Sequence, residues 1–345
     1  MNVKTEVRGQ RSEVRRRADG RAVFLLPTAY CLLPTVLLLL IFPAHARAAQ
    51  TPVRVAVLDF GETEAGRRAA ERVAASLVAS PKDVDTSVAR VGGRTAAVLS
   101  LVDRDLSRAA ARGAAYEGSL NLTLREARDL GAAVGCDFLV IGDAQVLRRS
   151  SSAAPVYFEA YASVFLVSAR TGRLVAWQRP SVEAASAEAA SARLLGELDA
   201  LGLRLAAHVS EAREREARER IAAVSQAEAE VFEDLSNDDG ANVRGTLRAP
   251  EPFRRLRPPY PDTAARAEAE ATVDVLVNIN AAGKVGRVEV TRWAGFGLDE
   301  AVVETVRRMH FRPATRDGAP FAARVLLRYN FRRPPKASQQ AQQQN

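Results

Sequence analysis

The chain has 345 residues, 47% hydrophobic and 26% charged, which is enough apolar material for two globular cores and too much for a disordered polymer. Two cysteines and three histidines exclude a disulfide framework and a thiolate or imidazole zinc centre. The net charge of +8 sits mostly at the start: residues 1–49 hold eight basic and three acidic side chains, leaving 41 against 38 elsewhere, which argues against the basic body of a nucleic-acid binder.

Residues 1–49 read as an export leader. Seven basic residues precede an apolar stretch from Ala22 to Phe42, and small residues follow at Ala44, Ala46, Ala48 and Ala49. The alternative is an inner-membrane anchor over 22–42, which is just long enough to span but is interrupted by Pro27 and Pro34. Cys31 follows Tyr30 and precedes the leucine run, the wrong context for lipidation. Either way the body lies in the periplasm or cell envelope.

Residues 50–182 read as a mixed α/β layer domain. Val53–Phe60 is a short buried strand, Glu64–Ala79 a helix, and Asp85–Val91 a weaker strand. Helices are expected at Thr95–Ala111 and Thr123–Val134, the second opened by a Thr123/Glu126 capping box. Phe138–Asp143 is a strand with a glycine exit, and Tyr157–Ser168 and Arg173–Gln178 form a hairpin turned by Ala169–Gly172. The runs Val55–Phe60, Leu101–Arg104, Gly135–Gly142 and Arg170–Arg173 together resemble the periplasmic domain of the CsgG family, which is similar to the amino-terminal domain of TolB. That resemblance covers residues 53–210 and implies a periplasmic recognition module. The loop Arg148–Pro155 is too short for a membrane-spanning hairpin of a pore.

Residues 183–235 contain no proline and read as one long helix. Leu194, Leu198, Leu201, Leu205, His208 and Ala212 form an apolar stripe that docks on the first domain; a coiled-coil homo-oligomer is the competing reading. Glu211/Arg215, Glu214/Arg218 and Glu216/Arg220 then make a charged face, so residues 211–235 are expected to be a solvated spacer of roughly 37 Å. Residues 236–257 read as a flexible linker rich in proline and arginine, and 332–345 as a disordered glutamine-rich tail.

Residues 258–331 form a small α+β domain. Thr272–Asn280 alternates, turns at Ala281–Lys284, and alternates again over Val285–Arg292. An amphipathic helix follows with Leu298, Ala301, Val302, Thr305, Val306 and Met309 on one face, and Phe321–Phe331 is the last of three antiparallel strands. The residues Pro259-Tyr260-Pro261, Ala282–Val285, Gly297–Ala301, His310–Ala314 and Asp317–Pro320 strongly resemble the carboxy-terminal domain of TonB. The resemblance implies strand addition at an open edge over Ala323–Asn330, and an outer-membrane transporter as partner. The binding set it implies is Arg257, Tyr260, Pro261, Arg324, Val325, Leu326, Leu327, Arg328, Tyr329 and Asn330, with Arg324 and Arg328 on the solvent face. Replacing Val325 with proline is expected to remove a donor from that edge. Two roles fit: a periplasmic adaptor, or an anchored energy transducer coupled to an inner-membrane proton channel complex.

No enzyme, cofactor or metal is expected. Cys136 has no histidine near it, Gly61-x4-Gly66 is followed by Arg67-Arg68 instead of the lysine of a phosphate loop, and Asp59, Asp103, Asp137 and Asp143 fit turn and cap roles. Trp177 and Trp293 read as core or edge packing.

Overall fold

The computed structural model describes residues 52–78, 98–150, 156–225, 232–236 and 246–333. The leader, the expected strand at Asp85–Val91 and the expected glutamine-rich tail from residue 334 onward lie outside them. Among the described residues no helix is long and apolar enough to cross a membrane.

The N-terminal lobe is built on a six-stranded sheet. Its elements are β1 (Val53–Val57), α1 (Glu64–Val78), β2 (Leu99–Leu101), α2 (Arg104–Gly113), α3 (Leu124–Val134), β3 (Phe138–Arg149), β4 (Tyr157–Ser168), β5 (Leu174–Gln178) and β6 (Ser181–Ala184). The order is β2-β1-β3-β4-β5 with β6 also on β4; β1 pairs in parallel with β2 and β3, and the rest is antiparallel. The expected helix at Thr95–Ala111 is corrected to strand β2 and helix α2. Asp103 separates them, its carboxylate accepting from Leu106 N at 2.9 Å, which fixes the helix start. The capping box of α3 forms as its spacing predicts. Strand β3 does not stop at Asp143 but runs on to Arg149, paired residue for residue with β4.

Helix α4 (Ala187–Ser225) begins later than residue 183, because Ser181–Ala184 is taken by the sheet, and at the far end Glu233–Asp234 belongs to another sheet instead of to the helix. Its first half packs on α1 and the sheet through Ala190, Leu194, Leu198, Leu201, Leu205, Val209 and Ala212. His208 is not in that stripe. A true helix turns past a strict 4-3 repeat, so Val209 is buried while His208 is partly exposed. Gly202 allows the close approach of α1: an added Cβ would sit 2.0 Å from Ser76 Oγ. The charged stretch is not a free spacer either. Glu216 takes Arg170 and the Thr171 hydroxyl, and Glu219 takes Arg173 at 2.8 Å, so the second half lies along the β4–β5 turn.

The C-terminal lobe comprises β7 (Glu233–Asp234), β8 (Leu247–Arg248), β9 (Glu251–Pro252), α5 (Asp262–Ala267), β10 (Ala271–Ile279), β11 (Val285–Arg292), α6 (Leu298–Arg307), β12 (Phe311–Arg312), β13 (Ala314–Arg316), β14 (Ala319–Phe321) and β15 (Ala323–Phe331). Its main sheet has the order β11-β10-β15-β7. The three expected antiparallel strands therefore gain a fourth, β7, a two-residue parallel piece from just beyond the long helix. Residues 246–257 are likewise not a flexible linker: β8 pairs with β13 and β9 with β12. All six expected core residues on and just after α6 are buried, against Val273, Val275, Val277 and Ile279 of β10.

Candidate interaction surface

The two lobes meet at one end of the C-terminal sheet, and residues 50–345 form a single compact unit. The contact centres on Trp293, which is 1% exposed and belongs to the core of the N-terminal lobe. Its ring stacks on Phe165 at 5.9 Å, and its Nε1–H donates to Gly172 O at 3.0 Å. Phe296 closes over Phe165 and Trp177 at 5.5 and 5.4 Å. Gly172 sits at φ +73°, and a Cβ there would fall 2.0 Å from Leu124 O, so only glycine brings the β4–β5 turn against α3 and leaves its carbonyl free for the indole.

Asn121 completes the joint. Its side-chain amide donates to Thr272 O (2.8 Å) and Trp293 O (2.6 Å) and accepts from Thr272 N (3.1 Å), imitating a strand residue beside β10. Arg292 returns a bond to Asn121 O at 2.9 Å, and Arg173 bridges Glu219 and Glu289. The loop carrying Trp293 and Phe296 is held by Asp299, whose two oxygens accept from Ala294 N (2.9 Å) and Gly295 N (2.8 Å). Burial pushes the Asp299 carboxyl up to about 7, against those two bonds, which pull it down.

Docking at this end leaves β15 accessible. Glu233 N–H donates to Ala322 O and Leu235 N–H to Arg324 O, so the even-numbered residues here direct their backbone groups away from β10. β7 covers only Ala323 and Arg324. By the two-residue period of a strand, the N–H and C=O of Leu326, Arg328 and Asn330 point outward, with no strand alongside among the described residues. The expectation for Val325 is corrected by the same parity. Val325 faces Val277 of β10, so its N–H belongs to the interior ladder and Leu326 supplies the edge donor.

The ten residues expected at the binding edge fall into three groups. Arg324, Leu326, Arg328 and Asn330 occupy the sheet face opposite α6. There Arg324 Nε donates to Asn278 (2.9 Å), Arg328 clasps the buried Asp274 (2.8 and 3.0 Å), and Asn330 accepts from Thr272 Oγ1 (2.8 Å). Leu326 is 38% exposed between the two arginines. Val325, Leu327 and Tyr329 point to the other face and pack in the lobe's core. Tyr260 donates to Ala269 O at 2.7 Å and lies 6.3 Å from Phe331, while Pro261 abuts Gly297; these two brace the far end of β15 and do not line its edge. Arg257 is exposed on the same segment.

The aspartates at strand ends are engaged locally. Asp59 pairs with Arg104 and Arg108, Asp137 accepts from Arg54 N, and Asp143 accepts from Gln145 and Tyr161. Cys136 lies under the α3–β3 turn, its thiol pushed up to about 12 by burial. Sequence reasoning missed Asn121, Phe165 and Phe296. In a chain this poor in aromatics, the run Trp293–Gly297, with its glycines flanking Phe296, is the signal that could have found the joint.

The C-terminal lobe is thus a β-sheet docked by one end, covered by a helix on one face and, among the described residues, open along a strand edge. Residues 257–332 match the family model described as Gram-negative bacterial TonB protein C-terminal, so the C-terminal lobe is a TonB-like C-terminal domain. Among solved structures, the TonB C-terminal domain of Pseudomonas aeruginosa is similar at 22% identity over 30% of this chain and 95% of its own, with a TM-score of 0.23. The hypothetical protein CT253 of Chlamydia trachomatis is similar at 12% identity over 46% of this chain and 99% of its own, with a TM-score of 0.28. No curated protein matches.

Proposed function

We propose that this is a cell-envelope adaptor whose TonB-like domain binds an extended segment of an outer-membrane transporter by adding it as a strand to β15. What supports the reading is the row of outward backbone groups on Leu326, Arg328 and Asn330, left open where β7 stops. An added strand would bond to those groups; its side chains on one face would meet Leu326 and the two arginines, giving selectivity. The N-terminal lobe, which resembles the CsgG and TolB periplasmic domains in its short motifs, would hold the edge clear and contact a second envelope partner.

Leu326→Pro removes one outward N–H without touching the β10–β15 ladder. Titration of the full chain with a peptide copied from the periplasm-facing start of a transporter is expected to show at least about tenfold weaker binding for this variant. Unchanged affinity would rule out addition at β15. Val325→Pro serves as contrast, since it breaks an interior rung and destabilises the lobe itself.

A further inference from the structure

The C-terminal lobe is far more basic than the rest of the exported body: residues 246–333 hold sixteen basic and ten acidic side chains. Part of that excess gathers at one place. Phe253, just past β9, is 67% exposed, and its N–H donates to His310 O at 2.9 Å. Arg254 and Arg255 follow immediately, in a segment pinned next by Leu256 in the core beneath α6. Lys284 bridges to His310 from the β10–β11 turn, Arg308 ends α6, and Arg312 lies over the Phe253 ring at 5.7 Å. Two acids answer this group, Glu251 on Arg312 at 3.7 Å and Glu304 on Arg308 at 4.0 Å, both in exposed pairs. Among the described residues Arg254, Arg255 and Lys284 have no acidic partner.

The location matters as much as the charge. Asn121 grips the first residues of β10, whereas the patch surrounds the turn at its other end; nine residues of strand put about 30 Å between them. The patch thus sits at the end of the C-terminal lobe remote from Asn121, with Glu304 and Arg307 beside it lining a cleft that His208 and Arg173 close from the N-terminal lobe.

We propose that this end docks on an anionic phospholipid bilayer, with Phe253 entering the headgroup layer and the surrounding cations facing lipid phosphates. An exposed aromatic beside five cations, three of them without an acidic partner, matches that surface in both terms, apolar at the centre and positive around it. A partner held on β15 would then lie along a strand whose end is set against the membrane.

The test uses the full chain carrying Phe253→Trp, mixed with vesicles of brominated phosphatidylglycerol or brominated phosphatidylcholine. Trp293 is buried and Trp177 partly exposed, and the signal of the unaltered chain, which carries both, is subtracted, so quenching reports on position 253. The expected result is quenching by the anionic vesicles only, weakening as salt rises, and at least about tenfold weaker when Arg254→Glu and Arg255→Glu are added. Vesicle attachment without quenching, equal quenching by both lipids, or indifference to the charge reversals would each overturn the proposal. Displacement by millimolar inorganic phosphate would also overturn it, leaving a simple anion site in its place.

Discussion

The sheet of the N-terminal lobe is covered on both faces, by α1 and α4 over Val55, Val140 and Leu166, and by α2, α3 and Trp293 over Ala56, Leu139 and Phe165. Among the described residues, the sheet of the C-terminal lobe is covered on one face only, by α6, and its opposite face carries Arg324, Leu326, Arg328 and Asn330. Two sheets in one compact unit are thus finished differently. The first uses its second face to receive the other lobe. The second leaves one face and the β15 edge beyond Arg324 without a strand alongside among the described residues, and lines them with arginines tied to Asp274 and Asn278, which guard against random pairing.

The contrast depends on Trp293 being core to the first sheet. Trp293→Ala is expected to cost about 3–5 kcal/mol in chemical denaturation, the range for a buried aromatic. A loss within experimental error would mean that the lobes merely touch. Asn121→Ala strands the Thr272 N–H and the Thr272 and Trp293 carbonyls, and is expected to cost about 2 kcal/mol. Asn121→Asp should not rescue it, because a carboxylate cannot donate to the two carbonyls.

Asp299 sharpens the comparison through pH. Its carboxyl is raised in the folded state to about 7, above its ordinary 3.8, so the folded protein holds the proton more tightly than the unfolded chain. The stability from this group is full below about pH 4 and declines as pH rises to about 7. Asp299→Asn is expected to flatten that decline, read as denaturation midpoints at pH 5 and pH 8; an unchanged slope would assign the pH dependence to other groups. The smallest effect is expected for Arg173→Ala. Its pairs with Glu219 and Glu289 are partly exposed, and the cost should stay within about 1 kcal/mol.

Local patterns were readable in the sequence where one segment decides its own structure. The capping box at Thr123, the alternation over Thr272–Asn280 and the apolar face of α6 all formed as their spacing implies. Features decided by distant segments were not readable. Whether Leu99–Leu101 is strand or helix depends on β1 lying beside it, and whether Val325 or Leu326 faces the edge depends on the register with β10. The alternate pattern of β15 named the two faces correctly but could not say which backbone groups were free. Glu216 and Glu219 looked like a solvated charge run because their partners, Arg170 and Arg173, lie some 46 residues away.

The side chain of Asn121 has a mechanical consequence. The bonds between β10 and β15 lie across the strands over nine paired residues, so tension along β15 loads those rungs together, in shear, instead of unzipping them one by one. That load reaches Thr272, where two bonds with the Asn121 side chain, and a third from it to the carbonyl of the buried Trp293, pass it to a second lobe with its own core. A strand pulled from outside would therefore be resisted by both lobes at once.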